Sequence, residues 1–175
     1  MASVGPDTSA LSPSSVREFA ARYLDAWNRQ DPSAMEELVT EDVLWSDPAL
    51  PEPARGVAAV QEFMRASWQA FPDLRFEEPN PPHVSINGDQ VAWAWRMHGT
   101  MTGRIDPPGF APTGKSMTVD GVDLWIFRDG RIATYRAFYD LTDLSRQLGI
   151  MPLPGSGAER AMVVGQRLQA RFQRH

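Results

Sequence analysis

Apolar residues recur at helical spacing in the first part of the chain and alternate at period two through much of the rest. Val16, Phe19, Ala20, Tyr23, Leu24 and Trp27 fall three and four apart, predicting an amphipathic helix with one buried face. Ser15 followed by Glu18 has the form of a capping box and marks its expected start, and the polar run Asn28 to Asp31 ends it. Asp31-Pro32, a capping side chain before a first-turn proline, restarts a short helix to about Val39. Val43 to Asp47 reads as a short strand stopped by Pro48. The stretch from Pro48 to Gly56 is expected to be irregular, because its prolines remove donors and fix φ. A second long helix is expected from about Val57 to Ala70, with Val60, Phe63, Met64 and Trp68 keeping helical spacing.

The period then switches. Short extended runs at 74–78 and 83–87 lead into Asn87-Gly88-Asp89, a hairpin-type turn. Gln90 to Met101 predicts a long strand with Val91, Trp93, Trp95 and Met97 on one face, and Ala92, Ala94, Arg96, His98 and Thr100 on the other. After a Gly- and Pro-rich loop, Ser116 to Phe127 and Ile132 to Tyr139 predict two more strands joined at Arg128-Asp129-Gly130. Asp140 can cap a short helix that ends at Gly149. Helices first and then a run of long antiparallel strands imply an α+β domain with helices packed on one face of a sheet. A strongly bent sheet closed in this way encloses a conical cavity suited to a small molecule. The expected division is a disordered segment 1–13, a domain 14–150, and an extension 151–175 carrying a short basic helix. In that helix Ala161, Val164, Leu168 and Phe172 form a narrow apolar stripe, expected to pack on the chain's own core.

Composition narrows the chemistry. A chain of 175 residues fits one domain with a real core, and its lack of cysteine excludes a disulfide framework, a thiolate nucleophile and a cysteine-based zinc site. Met1 to Ser12 has neither the basic nor the apolar part of a signal peptide, and no apolar run is long enough to span a membrane, so a cytoplasmic location is expected. The net charge of −5 argues against general affinity for nucleic acid. Arg160, Arg167, Arg171 and Arg174 against Glu159 make a basic tail, read as a solvated helix face. His83 adjoins Pro82 and His175 is terminal, so no three-histidine metal site is expected. No glycine-rich phosphate loop follows a strand, and no metal or cofactor is implied.

Several stretches carry a resemblance. RYLDAWNRQD at 22–31, TEDVLWSDP at 40–48, AFPDLRF at 70–76, GTMTG at 99–103, PTGKS at 112–116, FRDGRI at 127–132 and YDLTDLSRQLG at 139–149 together resemble the NTF2-like superfamily of cone-shaped α+β proteins. The nearest branch is that of the SnoaL-like polyketide cyclases. The resemblance implies a homodimer that takes a hydrophobic small molecule, with Asp140 in the place of the cyclase acid/base. The alternative for Asp140 is a plain helix cap.

The chain also resembles ketosteroid isomerase. Tyr23, Asp47 and Asp123 stand where that enzyme has its tyrosine, its base and its protonated aspartic acid. Asp123 shares a strand face with Val119, Gly121, Trp125 and Phe127, where an acid is costly unless paired or functional. A likeness to limonene-epoxide hydrolase extends to Arg96, but His98 and Ala137 replace the two aspartates of its relay, and Trp45 and Asp47 its water-holding tyrosine and asparagine. By the family's geometry Arg96 and His98 are expected to face the cavity, Arg96 neutralising Asp123 or Asp47 and His98 acting as acid/base. The expected function is cofactor-independent isomerisation or cyclisation of a polycyclic or polyketide-like carbonyl compound. Catalysis would fall to Asp47, Asp123, His98 and Asp140, and substrate binding to Tyr23, Trp45, Arg96, Trp125 and Tyr139. The alternatives are a non-catalytic binder of hydrophobic ligands and an epoxide hydrolase with a replaced relay.

Overall fold

The computed structural model describes residues 11–172; most of the expected disordered segment, together with Arg174 and His175, lies outside them. Helix α1 (Pro13–Asn28) is capped by Ser12, whose hydroxyl accepts the Ser15 amide. The cap thus stands three residues before Ser15, because Pro13 suits the first helical turn and an upstream serine can satisfy the free amides. Asp31 caps a 3-10 turn (Pro32–Ala34) through the Ser33 amide, and α2 (Met35–Leu38) follows directly. Then come β1 (Val39–Ser46), β2 (Ala54–Arg55), α3 (Val57–Ala70), β3 (Arg75–Glu77) and β4 (His83–Val84). The long strands β5 (Gln90–Thr100), β6 (Ser116–Arg128) and β7 (Arg131–Tyr139) precede α4 (Leu141–Gln147) and α5 (Gly157–Phe172).

The strands form one curled, open sheet in the order β2-β1-β7-β6-β5-β3, with β4 also paired to β5. The sheet is not wholly antiparallel: β1 runs parallel to β7. A parallel pair needs a long crossover, and the whole chain between residues 46 and 131 supplies it.

Along α1, Phe19, Tyr23 and Trp27 are spaced by four, so one stripe of rings lies on the concave face of the sheet. Phe19 meets Trp125 edge-on at 5.6 Å, Tyr23 meets Trp93 at 5.4 Å, and Trp27 meets Phe76 at 5.2 Å. Helix α3 adds Val60, Met64 and Trp68 to the same core. The loop after β5 is drawn against the end of α3, where the Gly103 amide donates to the Ala70 carbonyl. Only glycine fits there, since a Cβ would stand 1.8 Å from the Gln69 carbonyl oxygen.

Contrary to expectation, α5 buries none of its residues, and Leu168 and Phe172 are 50% and 81% exposed. Its apolar stripe is narrow, and the Pro152–Gly155 linker lets it leave the core. A chain ending at Ser156 is therefore expected to melt within about 2 °C of the full chain, as surface changes are worth about 0.5 kcal/mol or less. A drop of 5 °C or more in a thermal melt would show that α5 packs after all.

Candidate active site

The stripe on α1 covers only part of the concave face, and the uncovered part lines a cavity of about 720 Å³. Its walls are apolar: Trp93, Trp95 and Met97 from β5, Phe63 and Phe71 at α3, Leu144 from α4 and Leu148 just after it. The proline-rich loop after β1 and the loop bearing Ile105 and Phe110 form parts of its rim. Glu52, Glu62 and Asp106 border it as exposed side chains, and set deeper into the walls are two carboxyl groups, Asp47 and Asp123, and three tyrosines, Tyr23, Tyr135 and Tyr139.

Asp123 lies on the inward phase of β6 and is 1% exposed. Trp95 Nε1 donates to its Oδ1 at 2.7 Å and the Tyr135 hydroxyl donates to the same oxygen at 2.9 Å. Burial pushes its carboxyl up to about 8; the two donors pull it down less, the charge of Asp47 adds a smaller upward push, and the Trp125 indole a still smaller downward one. Near neutral pH its protonated form is then the favoured one.

Asp47 directly follows β1 and is half-buried. Its Oδ1 accepts the Ala49 amide at 2.8 Å and the Tyr139 hydroxyl at 2.8 Å. Burial raises this carboxyl as well, against the lowering effect of those two bonds. Asp47 is nearer solvent and holds a backbone N–H, whereas Asp123 is sealed among rings, so the first proton lost by the pair comes from Asp47. Burial holds Tyr23 and Tyr135 well above the usual phenol range, with the charge of Asp123 adding, so both remain protonated. The arrangement therefore offers an ionisable carboxylate and a neutral carboxylic acid in one apolar cavity.

Four of the expected site residues, Tyr23, Asp47, Asp123 and Tyr139, line this cavity together. Five do not. Arg96 and His98 lie on the outer face of β5: Arg96 pairs with Asp120 at 2.7 Å, and His98 Nε2 stands 3.4 Å from Glu77. The large side chains of β5 turn inward because the concave face offers the greater apolar burial, which leaves Ala92, Ala94, Arg96 and His98 outside. Arg96 thus neutralises neither Asp47 nor Asp123. Asp140 is exposed and caps α4 by accepting the Asp143 amide at 2.8 Å.

Trp45 and Trp125 have the correct phase but are fully covered. Trp45 stacks on Tyr135 at 3.5 Å, and Trp125 lies under Phe19 and Tyr23. Two residues that hold Asp123, Tyr135 and Trp95, were not singled out for the site. The available signal for Tyr135 was its phase, two and four residues before Ala137 and Tyr139 on one strand face.

The curled sheet with helices on its concave side is the NTF2-like fold, and solved structures share it. TsrD from Streptomyces laurentii superposes with a TM-score of 0.70 at 25% identity, covering 81% of this chain and 99% of that one. AclR from Streptomyces galilaeus, proposed to be a hydroxylase, gives 0.67 at 22% identity over 94% and 100%. IdmH from Streptomyces antibioticus, proposed to be a polyketide cyclase, gives 0.63 at 24% identity over 79% and 99%. A search of curated proteins found no match. The model of the SnoaL-like polyketide cyclases matches residues 17–148, and the chain belongs to that family.

Between about pH 4 and pH 8 the folded protein keeps a proton on Asp123 that the unfolded chain has already released. The unfolded state then binds fewer protons, so this group makes stability fall as pH rises, by at most about 1.4 kcal/mol per pH unit, with no further loss above the folded midpoint. Asp123→Asn keeps an acceptor for Trp95 and Tyr135 without a titrating proton. Urea unfolding at several pH values between 5 and 8 should therefore show a shallower fall in the variant, the remaining slope coming in part from Asp47. Equal slopes in variant and wild type would mean that Asp123 is ionised in the folded protein.

Proposed function

We propose that the protein is a cofactor-independent acid/base isomerase or cyclase acting on a polycyclic or polyketide-like carbonyl compound. The observation that carries this reading is the pair of carboxyl groups in one apolar cavity whose surroundings separate their ionisation, Asp123 up to about 8 and Asp47 the first to ionise. A cavity of about 720 Å³ with aromatic walls suits a ligand of several fused rings. The cyclase or isomerase character of the family supports the same reaction class.

Asp47 takes a proton from the carbon next to the substrate carbonyl, and the electron pair of that C–H bond moves into the enolate. Asp123, neutral, donates a hydrogen bond to the developing enolate oxygen, where fixed donors in a dry site contribute most. The protonated Asp47 then returns its proton. Delivered to another carbon of the conjugated system, the proton completes an isomerisation; delivered to the oxygen formed when the enolate carbon attacks a second carbonyl, it completes a ring. Tyr139 holds Asp47 in place, and Tyr23 lines the wall beside Asp123.

Deuterium uptake from D₂O into polycyclic ketones and β-keto esters, followed by mass spectrometry, tests this. Asp47→Asn is expected to lower the exchange rate by about 10²–10⁴-fold with the fold retained. Asp123→Leu should lower it by about 10²–10³-fold, and Asp123→Asn less, because an amide still donates. His98→Ala and Asp140→Ala should exchange at the wild-type rate. Undiminished exchange in the Asp47→Asn, Asp123→Leu double variant would overturn the catalytic reading and leave a hydrophobic-ligand binder.

A further inference from the structure

Both hydrogen bonds to Asp123 converge on Oδ1; the nearby Trp125 indole, which also favours the ionised carboxyl, makes no hydrogen bond to either oxygen, and Oδ2 receives none from the described residues. The two donors are not equivalent. A phenol hydroxyl rotates and both donates and accepts, so Tyr135 alone would let the acid's proton sit on either oxygen. An indole N–H only donates. With Trp95 Nε1 at 2.7 Å and the Tyr135 hydroxyl at 2.9 Å both donating to Oδ1, that oxygen uses two lone pairs as a carbonyl oxygen does, which favours the proton of the neutral acid on Oδ2.

The position of the Trp95 ring has its own cause. Trp95 and Gly121 are direct partners across β5 and β6, and the indole lies over the glycine to reach Asp123 two residues further along. A Cβ at position 121 would stand 2.3 Å from Cζ2 and 2.4 Å from Cη2 of that ring, with backbone pairing on both sides and little room to yield. Phe76 holds the ring edge-on at 5.5 Å, and Tyr139, the hydroxyl on Asp47, meets it at 5.7 Å. One side chain therefore holds one carboxyl group and touches the support of the other.

We infer that Trp95 is a positioning residue that fixes the proton of Asp123 on Oδ2, the oxygen left for a substrate carbonyl, and that Gly121 makes room for it. The inference rests on the acid role proposed for Asp123. It assigns a task to an indole whose burial alone would mark it as packing.

Trp95→Phe keeps a ring and removes the N–H. Losing a donor to the anion favours the protonated form, so the Asp123 carboxyl midpoint, followed by ¹³C NMR and assigned with Asp123→Asn, should rise by about one pH unit. Gly121→Ala, which leaves Trp95 in the sequence but displaces its ring, should shift the midpoint in the same direction. In the exchange assay Trp95→Phe should lower kcat about tenfold and change KM less than twofold, with the basic limb of the pH profile moved upward.

In wild type the Trp95 indole N–H resonance should titrate with the same midpoint as the Asp123 carboxyl, and this measurement holds even where a variant does not fold. An indole signal that ignores that titration, or an unmoved midpoint in both folded variants, would overturn the inference. A shifted midpoint in a protein that exchanges no α-proton would instead overturn the catalytic reading and leave the role of Trp95 standing.

Discussion

A carboxyl group without a cation beside it occupies the concave face of the sheet, and much of the site follows from its cost. Asp123 is 1% exposed, and neither its hydrogen bonds nor the influences on its ionisation include a lysine or arginine. A charge so placed would be strongly destabilising, and the protein avoids it by keeping the proton. What remains to satisfy is a neutral acid, which needs donors for one oxygen and an acceptor for its hydrogen. Trp95 and Tyr135 supply the donors; the acceptor is left to whatever enters the cavity. Tyr135 is steadied by its stack on Trp45 at 3.5 Å, and Trp95 by the absence of a side chain at Gly121.

The second carboxyl obeys the same physics with a different outcome. Asp47 stands where β1 gives way to the proline-rich loop, so it meets a free backbone amide that no strand partner claims. Prolines at 48, 51 and 53 keep that loop out of the sheet, and the loop in turn forms part of the cavity's rim. The feature that breaks regular structure therefore also lowers the cost of ionising Asp47. Two like residues are raised to unlike degrees because one sits inside a sheet and the other at its end. Proton transfer next to a carbonyl can use such a pair, a base able to ionise and an acid that keeps its proton.

Much of the fold was legible because local pattern determines it. Helix α3 ran from Val57 to Ala70 as its spacing predicts, and β5, β6 and β7 began and ended within about one residue of expectation. Their alternation is regular, and Asp129 and Gly130 adopt the positive φ that the turn between β6 and β7 demands. The parallel pairing of β1 with β7 was not legible. Leu44 pairs with Thr134 across ninety residues of chain, and nothing in either segment announces so distant a partner. The length of β1 was hidden for a local reason: Glu41 and Asp42 are successive exposed positions that interrupt alternation ahead of Val43.

The site was legible in part, and the division has one cause. Period two assigns a residue to a face of a strand but says neither which face is concave nor what covers it. On β5 the small residues suggested room for a ligand, yet the tryptophans turn inward because a helix-covered face rewards large apolar surface. On β1 and β6, Trp45 and Trp125 share the inward phase with Asp47 and Asp123. They differ in being covered by ring faces, Trp45 by Tyr23 and Tyr135 and Trp125 by Tyr23, whereas Tyr135 reaches Asp123 with its hydroxyl. Depth along a strand is thus a tertiary property, set by where Phe19, Tyr23 and Trp27 come to rest. The same stripe that fills the closed end leaves the open end to be lined by Trp95, Tyr139 and the two acids. A cavity at that end is the remainder of a helix too short in apolar surface to cover a curled sheet, and the polar groups found there are those that no ring of the helix covers.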